Sequence, residues 1–200
     1  LRLDRGEQPV DLLRVVDLDE ELHEGPVLAF RRVDEQEPQT AAADAHFGIA
    51  KTWDYVKNVD GRNGIANDGV GGFSRVHSGR NYANAFWSDS CFCMTFGDGD
   101  NGATIYPLVS LDVAGHEMTH GVTSRTANLS YSGESGGLNE ATSDMFGAMG
   151  EFYANTAADP GDYVIGEELF PNNANMSKAI RWMFKPSLDN ASYDCYEAGF

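Results

Sequence analysis

The sequence predicts an α+β fold in which an irregular, antiparallel, β-rich N-terminal lobe is followed by two helices. Residues 61–102 are rich in Gly, Asn and Asp and contain short apolar runs, a pattern typical of short strands joined by turns. From Leu111 onward the apolar residues instead recur every three or four positions, as they do on one face of an α-helix. The two patterns divide the chain into a strand-rich part and a helical part.

Several short elements are expected in the N-terminal lobe, residues 1–110. Helical spacing of apolar residues predicts one helix, over Ala41–Val59, which ends before Asp60 and Gly61. Short runs with strand-like spacing predict strands between the turns. These predicted strands are Val10–Val16, Val27–Val33, Ala83–Trp87 and Cys91–Phe96.

The run Gly97–Gly102 is similar to a calcium-binding loop, because Asp and Gly alternate in it. The twelfth position counted from Asp98 is Val109, however, where an EF-hand requires a carboxylate that binds with both oxygens. We therefore interpret this run as a tight turn.

Two consecutive helices are expected in the second part, over Leu111–Arg125 and Leu138–Ala154, joined by the polar, Gly-rich loop Asn128–Gly137. Each helix carries an apolar stripe that advances by three or four residues, which predicts a face packed on the core. The first stripe consists of Leu111, Ala114, Met118 and Val122, and the second of Leu138, Ala141, Met145, Ala148 and Phe152.

The charge of the chain narrows the classes of partner. It has 31 acidic and 14 basic side chains and a formal net charge of −17. This charge disfavours binding to nucleic acid or anionic lipid and favours attraction of divalent cations. No window reaches the roughly 18 consecutive apolar residues of a membrane-spanning helix. We therefore expect metal ions as partners, and neither nucleic acid nor a membrane.

The three cysteines form an odd set, so any pairing within the chain leaves one of them without a partner. Cys91 and Cys93 would point to the same face of an extended strand. Two buried apolar thiols are one interpretation of this pair. The sequence leaves the pairing open, and the partner of Cys195 with it.

The segment His116-Glu117-Met118-Thr119-His120 lies inside the first of the two predicted helices. A separation of four residues places both imidazoles on one face, one turn apart, where they can share a metal ion. Glu117 points to one side of them, where a carboxylate can take a proton from a metal-bound water. The alternative is a helix with two hydrogen-bonded core histidines.

A catalytic zinc site needs a third protein ligand and an open position for water. Glu140 on the second predicted helix is the candidate, and Asp144, four residues later on the same face, is placed to orient a ligand histidine. Glu151 continues this acidic row close to three turns after Glu140. The alternative is a solvated acidic face of the helix.

These motifs resemble the thermolysin family of zinc endopeptidases. The two histidines, then nineteen residues, then Glu140 within Asn-Glu-Ala-Thr-Ser-Asp match the zinc motif of that family, and the resemblance extends from about Val15 to Arg181. Metzincins fit less well, because they require Gly and His where this chain has Thr123 and Thr126. The related aminopeptidases place the third ligand one residue closer and carry a Gly-x-Met-x-Asn signature that is absent here.

The resemblance implies a thermolysin-like (gluzincin) fold with one catalytic zinc ion. It implies zinc ligands at His116, His120 and Glu140, a general base at Glu117, a hydrogen-bond donor to the oxyanion at Tyr131, and residues orienting His116 and His120 at Asp144 and Asn139. For Tyr131 the alternative is a loop aromatic residue packed on the sheet.

The resemblance also implies peptide and protein substrates, cut at internal bonds on the amino side of bulky apolar residues. Asn84 and Ala85 match the edge strand that pairs with substrate backbone. Arg181 matches an arginine that contacts a substrate carbonyl, with a solvated basic residue as the alternative. Members of the family are exported, so we expect a secreted, extracellular protein, and a monomer.

Four acidic residues resemble the calcium site of the family and imply one or two structural Ca²⁺ ions. They are Asp112, Glu151, Asp162 and Glu167. The loop Thr156–Gly161 is longer than in the type member, and Val164 stands where an acidic residue is usual, so the number of ions is left open. Solvent-facing carboxylates are the alternative.

The expected organisation has three parts: the β-rich lobe 1–110, the zinc-bearing helix pair 111–155, and residues 156–200 with the calcium-site loop and the start of a helical lobe. In the family, a histidine of that lobe assists the tyrosine at the oxyanion, and no histidine follows His120 here. The chain also lacks an initial methionine. We therefore expect a processed or truncated protease chain that is weakly active or inactive by itself. The alternative is a non-hydrolytic, metal-stabilised module that binds peptides.

Overall fold

The computed structural model describes residues 14–17, 38–100, 102–173 and 175–195. The described residues form three α-helices, α1 (Pro38–Asn58), α2 (Leu111–Ser124) and α3 (Gly133–Ala154). Their strands are β1 (Arg14–Asp17), β2 (Phe73–Val76), β3 (Ala85–Ser88), β4 (Cys93–Phe96), β5 (Val164–Ile165) and β6 (Arg181–Trp182). Two short 3-10 helices span Glu167–Leu169 and Pro186–Asp189. The predicted α+β class is confirmed, and none of these helices is long and apolar enough to cross a bilayer.

Strands β1–β4 form one mixed sheet in the order β1-β2-β4-β3. Only β3 and β4 pair antiparallel, whereas β1–β2 and β2–β4 are parallel, so the expectation of an antiparallel lobe is wrong for these two pairs. Helix α1 lies in the connection between β1 and β2, and a connection of that length allows parallel pairing. The β3–β4 hairpin folds back so that β4 enters between β2 and β3. Strand β3 is therefore left at the edge of the sheet.

Strand β4 begins later than predicted, at Cys93 and not at Cys91. Cys91 and Cys93 form a disulfide, and their Cα atoms are 5.2 Å apart. An extended strand would separate residues i and i+2 by about 6.6 Å, so the link bends the chain out of the strand. The third cysteine, Cys195, is free and exposed. The predicted strand Val27–Val33 lies outside the described residues, as does the beginning of Val10–Val16.

Helix α2 packs against both α1 and α3, and its predicted apolar stripe is confirmed because all four residues are buried. A Cβ atom on Gly115 would lie 3.0 Å from Cα of Gly147 in α3 and 3.0 Å from Oγ1 of Thr52 in α1. A Cβ atom on Gly147 would lie 2.5 Å from the carbonyl oxygen of Asp112. Glycine at these two positions therefore lets the backbones of α2 and α3 approach closely.

The prediction that the apolar stripe of α3 faces the core is wrong. Ala148 is buried, but Leu138, Met145 and Phe152 are 59%, 43% and 47% exposed, and Ala141 is exposed as well. The face of α3 that packs inward carries small and polar side chains, including Asn139, Ser143, Asp144 and Glu151. Close backbone packing leaves room for small residues, and Asn139, Ser143 and Asp144 hydrogen-bond the histidines of α2. The helix also begins at Gly133, inside the predicted loop, because tertiary contacts override the low helix propensity of glycine.

Candidate metal centre and active site

Helix α2 places His116, Glu117 and His120 at its interface with α3. His116 and Glu117 are buried, and His120 is half-buried. Because an α-helix has 3.6 residues per turn, His116 and His120 project to the same side, and their Nε2 atoms lie 2.9 Å apart. The local sequence thus brings two imidazole nitrogens together.

Glu140 of α3 completes a group of three metal-binding side chains. Its Oε2 lies 3.3 Å from Nε2 of His116, and its Oε1 lies 3.4 Å from Nε2 of His120. One ligand atom from each of the three residues lies within 4.8 Å of the others. Two imidazoles and one carboxylate form a ligand set of catalytic zinc, so these residues fit that ion.

The second nitrogen of each histidine is hydrogen-bonded to α3. Nδ1 of His116 pairs with Oδ1 of Asp144, and Nδ1 of His120 pairs with Oδ1 of Asn139, both at 2.7 Å. When Nδ1–H donates these bonds, Nε2 is free to bind a metal ion. Arg181 of β6 donates two hydrogen bonds of 2.6 Å to Asp144. The structure brings Asp144 and Asn139 to the two histidines, and their predicted role in orienting metal ligands stays a prediction. Sequence reasoning missed the contact between Arg181 and Asp144.

The protein groups of the site shift one another's pKa values. Burial lowers the pKa of His116, but hydrogen bonds to Asp144 and Glu140 outweigh burial and raise it to about 9. The hydrogen bond to His116 lowers the pKa of Glu140 to about 2. Burial raises the pKa of Glu117 to about 7, and the charge of His116 opposes this effect. Glu140 therefore stays ionised as a ligand should, whereas Glu117 can exchange a proton near neutral pH.

Glu117 differs from the three ligands because one of its oxygens has no partner. The main chain of Trp87 in β3 hydrogen-bonds the Glu117 carboxylate, but Oε2 is buried without a hydrogen bond. A buried carboxylate oxygen of this kind is costly, and such groups are concentrated at functional sites. Its location agrees with the predicted position of a general base beside the metal ligands.

Tyr131 lies in the loop before α3, and its side chain is 69% exposed. Its hydroxyl donates a hydrogen bond to Oε1 of Glu140. Its ring centroid lies 5.9 Å from that of His120. The structure therefore brings Tyr131 to the rim of the three-ligand group.

Two family models match this chain. A model of the thermolysin metallopeptidase catalytic domain matches residues 20–124, and a model of the thermolysin metallopeptidase alpha-helical domain matches residues 127–200. The chain belongs to the thermolysin family of metallopeptidases. The two matches meet between α2 and α3, so the three-ligand group of this family member joins residues from both matched regions.

Known proteins of this family are similar to the chain over most of its length. It is 64% identical over 163 residues to a transglutaminase-activating metalloprotease of Streptomyces mobaraensis. The aligned residues cover 82% of this chain and 21% of that protein. It is 48% identical over 149 residues to a thermolysin of Alicyclobacillus acidocaldarius subsp. acidocaldarius, covering 74% of this chain and 26% of that protein. The solved precursor of protealysin, a metalloproteinase from Serratia proteamaculans, matches with a TM-score of 0.64 and 30% identity, covering 84% of this chain and 52% of that chain. The chain thus spans a fifth to a half of the length of these relatives.

Strand β3 presents an open edge in this thermolysin-family chain. Ala85 is its first residue and pairs with Phe96 of β4, and the exposed Asn84 precedes it. The other edge of β3 has no strand partner within the described ranges. An extended peptide can add to such an edge. Arg181 lies against Asp144, and its predicted contact with a substrate carbonyl stays a prediction.

A second group of carboxylates lies at the C-terminal end of α3. Ligand oxygens of Glu151, Asp159 and Glu167 lie within 4.8 Å of one another. The pKa value of each of these three residues is raised, first by its own burial and then by the negative charge of the fully buried Asp112. Sequence reasoning missed Asp159. The sequence did contain a signal for it, because Asp159 is an acidic residue in the long loop between the predicted calcium ligands Glu151 and Asp162.

Several oxygens of this acidic cluster lack a hydrogen-bond donor. The buried oxygens without a partner are both oxygens of Glu151, Oε2 of Glu167 and Oδ2 of Asp162. Asp112, in contrast, accepts hydrogen bonds from Ser110 Oγ at 2.6 Å, from the main chain of Val113 at 2.7 Å and from the main chain of Gly166. Buried oxygens without protein donors fit a hard cation such as Ca²⁺, which takes oxygen ligands.

Proposed function

We propose that this chain carries the zinc centre of a metalloendopeptidase that hydrolyses internal peptide bonds. The observation that carries the proposal is the convergence of His116, His120 and Glu140, with an unpartnered oxygen of Glu117 on the same helix. A zinc ion held by these three residues would lower the pKa of a bound water toward about 7 and would polarise a carbonyl group.

The other residues of the site divide the remaining work. Glu117 accepts the proton from the attacking water and passes it to the leaving amine, because it lies beside the three ligands with one carboxylate oxygen free of hydrogen bonds. Tyr131 donates a hydrogen bond to the oxygen that becomes negatively charged. Asp144 and Asn139 hold the two histidines in the orientation that binds zinc.

We propose that peptides and proteins are the substrates and that they bind in extended form along β3, where Asn84 and Ala85 begin the open edge. Arg181 then contacts a substrate carbonyl near the leaving side, where an apolar residue is preferred. We propose as well that the protein is secreted and that it is a monomer. The support for export is the naming of its relatives as thermolysins and metalloproteases.

We also propose that the acidic cluster binds one or two structural Ca²⁺ ions. Asp112, Glu151, Asp162 and Glu167 were expected from the sequence, and Asp159 joins them. The support is the set of buried oxygens that no protein group satisfies. Calcium there would tie the end of α3 to the following loop.

The substitution Glu117→Gln tests the peptidase. The amide keeps the size of the side chain but cannot take up the proton, so cleavage of an internally quenched, end-blocked peptide should fall about 10²–10⁴-fold while zinc content is unchanged. The matched control is Glu134→Gln, which removes the same charge from an exposed position in the first turn of α3 and should leave the rate as it is.

Two outcomes would overturn the proposal. Cleavage by Glu117→Gln at the rate of the unchanged protein would show that another group is the base. An unchanged protein that holds one zinc ion and binds the peptide, but does not cleave it, would be a metal-stabilised peptide-binding module.

A further inference from the structure

The disulfide between Cys91 and Cys93 lies in the turn that joins β3 to β4, and the proposed chemistry does not use it. Only one residue separates the two cysteines. A disulfide stabilises a fold mainly by restricting the unfolded chain, and the shortest loops gain least from this restriction. This disulfide therefore adds little to the stability of the whole fold, and its main effect is on the conformation of the turn that contains it.

Phe92, the residue between the two linked cysteines, has an unusual backbone conformation. Phe92 has a φ of +53°, in the left-handed region that an aromatic residue rarely adopts. In this conformation its ring packs edge-on against Trp87 of β3, with 5.2 Å between ring centroids. Arg125, just beyond α2, also contacts Phe92: its guanidinium carbon lies 5.6 Å from the centroid of the Phe92 ring. The bent turn thus places Phe92 between the edge strand β3 and the C-terminal end of α2. Helix α2 is the zinc-ligand helix, because it carries His116 and His120.

Trp87 connects this turn to the active site in two ways. Its main chain hydrogen-bonds the carboxylate of Glu117, and its indole ring packs so closely on α2 that a Cβ atom on Gly121 would come within 2.8 Å of it. Asp89 adds a second tie, because its Oδ1 accepts hydrogen bonds from Trp87 Nε1 at 3.1 Å and from Ser124 Oγ at 2.8 Å. The turn therefore sets the position of β3 relative to α2.

The two sulfur atoms differ in access and in surroundings. Cys93 is completely buried, whereas Cys91 is half-buried. Nη2 of Arg75 lies 3.8 Å from Sγ of Cys91. A neighbouring guanidinium stabilises a thiolate, so the reduced form of Cys91 is favoured and the disulfide is more easily reduced.

We propose that the Cys91–Cys93 disulfide is a reducible positioning link that holds the peptide-binding edge of β3 against the zinc-ligand helix. The substrate half of this inference rests on the proposed peptidase function. A dithiol attacks Sγ of Cys91, the bond between the two sulfurs breaks, and Cys93 leaves as a thiolate that takes a proton. The second thiol of the reductant then displaces Cys91, so the protein gains two electrons and the dithiol is oxidised to its own disulfide. Phe92 relaxes to negative φ, and β3 loses its fixed position.

The test compares the full protein before and after reduction. The reductant is a trialkylphosphine, because dithiols also bind zinc. The phosphine and one water molecule convert the disulfide to two thiols, and the phosphine is oxidised to the phosphine oxide. Amide hydrogen exchange in residues 85–94 should accelerate about tenfold, while exchange within α2 stays slow and zinc content is constant. The KM for a long blocked peptide should rise about tenfold, whereas the KM for a blocked dipeptide should not move.

Two variants make the result specific. The double variant Cys91→Ser with Cys93→Ser should resemble the reduced protein under both conditions and show no response to phosphine. The single variant Cys195→Ser removes the free, exposed thiol and should respond as the unchanged protein does.

Each remaining outcome decides one part of the inference. Unchanged hydrogen exchange in residues 85–94 after verified reduction would overturn the positioning link. Faster exchange with the same KM for the long peptide would overturn control of substrate binding. Absence of cleavage in both states, with faster exchange on reduction, would overturn the proposed peptidase and leave the positioning link supported.

Discussion

The middle and the C-terminal end of α3 each carry a cluster of buried polar side chains, and the clusters differ in how these side chains are paired. In the middle of the helix, Asn139 and Asp144 hydrogen-bond the two histidines of α2. At its end, Glu151 lies beside Asp159 and Glu167, and both of its oxygens lack a hydrogen-bond donor. The protein itself satisfies the first cluster but not the second.

The difference follows from the charges present. The first cluster, the proposed zinc-ligand cluster, consists of His116, His120, Asn139, Glu140 and Asp144. It contains imidazoles and an amide beside its two carboxylates, and Arg181 balances Asp144 through two hydrogen bonds. The acidic cluster contains carboxylates that burial and mutual repulsion disfavour as anions, which raises the pKa of Glu151 to about 11. Such a group needs a cation to remain charged at neutral pH. Changes in the first cluster should therefore alter chemistry, and changes in the second should alter stability.

The largest effect expected from this comparison is on catalysis without stability. Tyr131→Phe removes the hydroxyl at the rim of the zinc-ligand cluster and should lower kcat about 10²–10³-fold, with zinc content and melting temperature unchanged. The exposed Tyr163, near the acidic cluster, provides the control, since Tyr163→Phe should leave kcat as it is. A large fall in melting temperature for Tyr131→Phe would contradict the separation of the two effects.

A smaller effect should separate the metal affinities of the two clusters. Asp144→Asn weakens the hydrogen bond that orients His116 and should reduce zinc affinity about 10–100-fold, measured by competition with a chelating dye. Asp112→Asn, on the acidic side of the same helix pair, should instead reduce calcium affinity. Equal loss of zinc affinity in both variants would show that the clusters do not act independently.

The acidic cluster should make stability depend on pH in the absence of calcium. The pKa values of Asp159 and Glu167 are raised to about 7 and about 8, mainly by burial, and unfolded carboxylates titrate near 4. The folded protein then binds more protons than the unfolded one between these values, so its stability falls as pH rises from about 5 to about 8. Calorimetry in calcium-free buffer that contains zinc should show a falling melting temperature over this range.

Added calcium sharpens the same experiment. Its stabilising effect should grow with pH, because the carboxylates that bind it must be ionised. Asp159→Asn should flatten the pH dependence. A melting temperature that rises with pH in calcium-free buffer would show that these carboxylates are not held protonated in the folded protein.

The smallest effect should come from the residue that supports Asp144. Arg181→Lys keeps the charge but loses the paired hydrogen bonds, so zinc affinity should fall about threefold. Arg125→Lys is the matched control, because Arg125 makes an exposed ion pair with Asp89 at 3.4 Å. A loss for Arg181→Lys larger than that for Asp144→Asn would mean that Arg181 acts by a second route.

Helix α2 was the most predictable element, and α3 shows why prediction stopped there. In α2 the apolar stripe and the polar site residues both follow the period of one helix, so spacing alone places them. In α3 the same reasoning assigned Leu138 and Met145 to the core, where the structure exposes them. The inward face is chosen by the residues that α2 presents, and this information is not contained in α3.

The turn after β3 shows a second limit. A pattern of alternating residues favoured a strand that began at Cys91, but the covalent link between Cys91 and Cys93 bends the chain at Phe92. The link depends on the approach of two sulfur atoms and not on side-chain periodicity. The parallel pairing of β2 with β4 was equally beyond local patterns, because it depends on where the hairpin inserts in the sheet.

By itself the sequence determined the two histidines, the glutamate beside them and the distant Glu140, because helical periodicity and a familiar spacing are properties of the linear chain. Tertiary structure alone decided which atoms meet: Arg181 with Asp144, Asp159 with Glu151, and Phe92 with Trp87. The close contact of α2 and α3 at Gly115 and Gly147 in the same way decides that Asp144 meets His116 and that Glu140 meets His120, because it fixes how near the two helix backbones lie. That contact brings together residues far apart in the chain, and no local pattern specifies it.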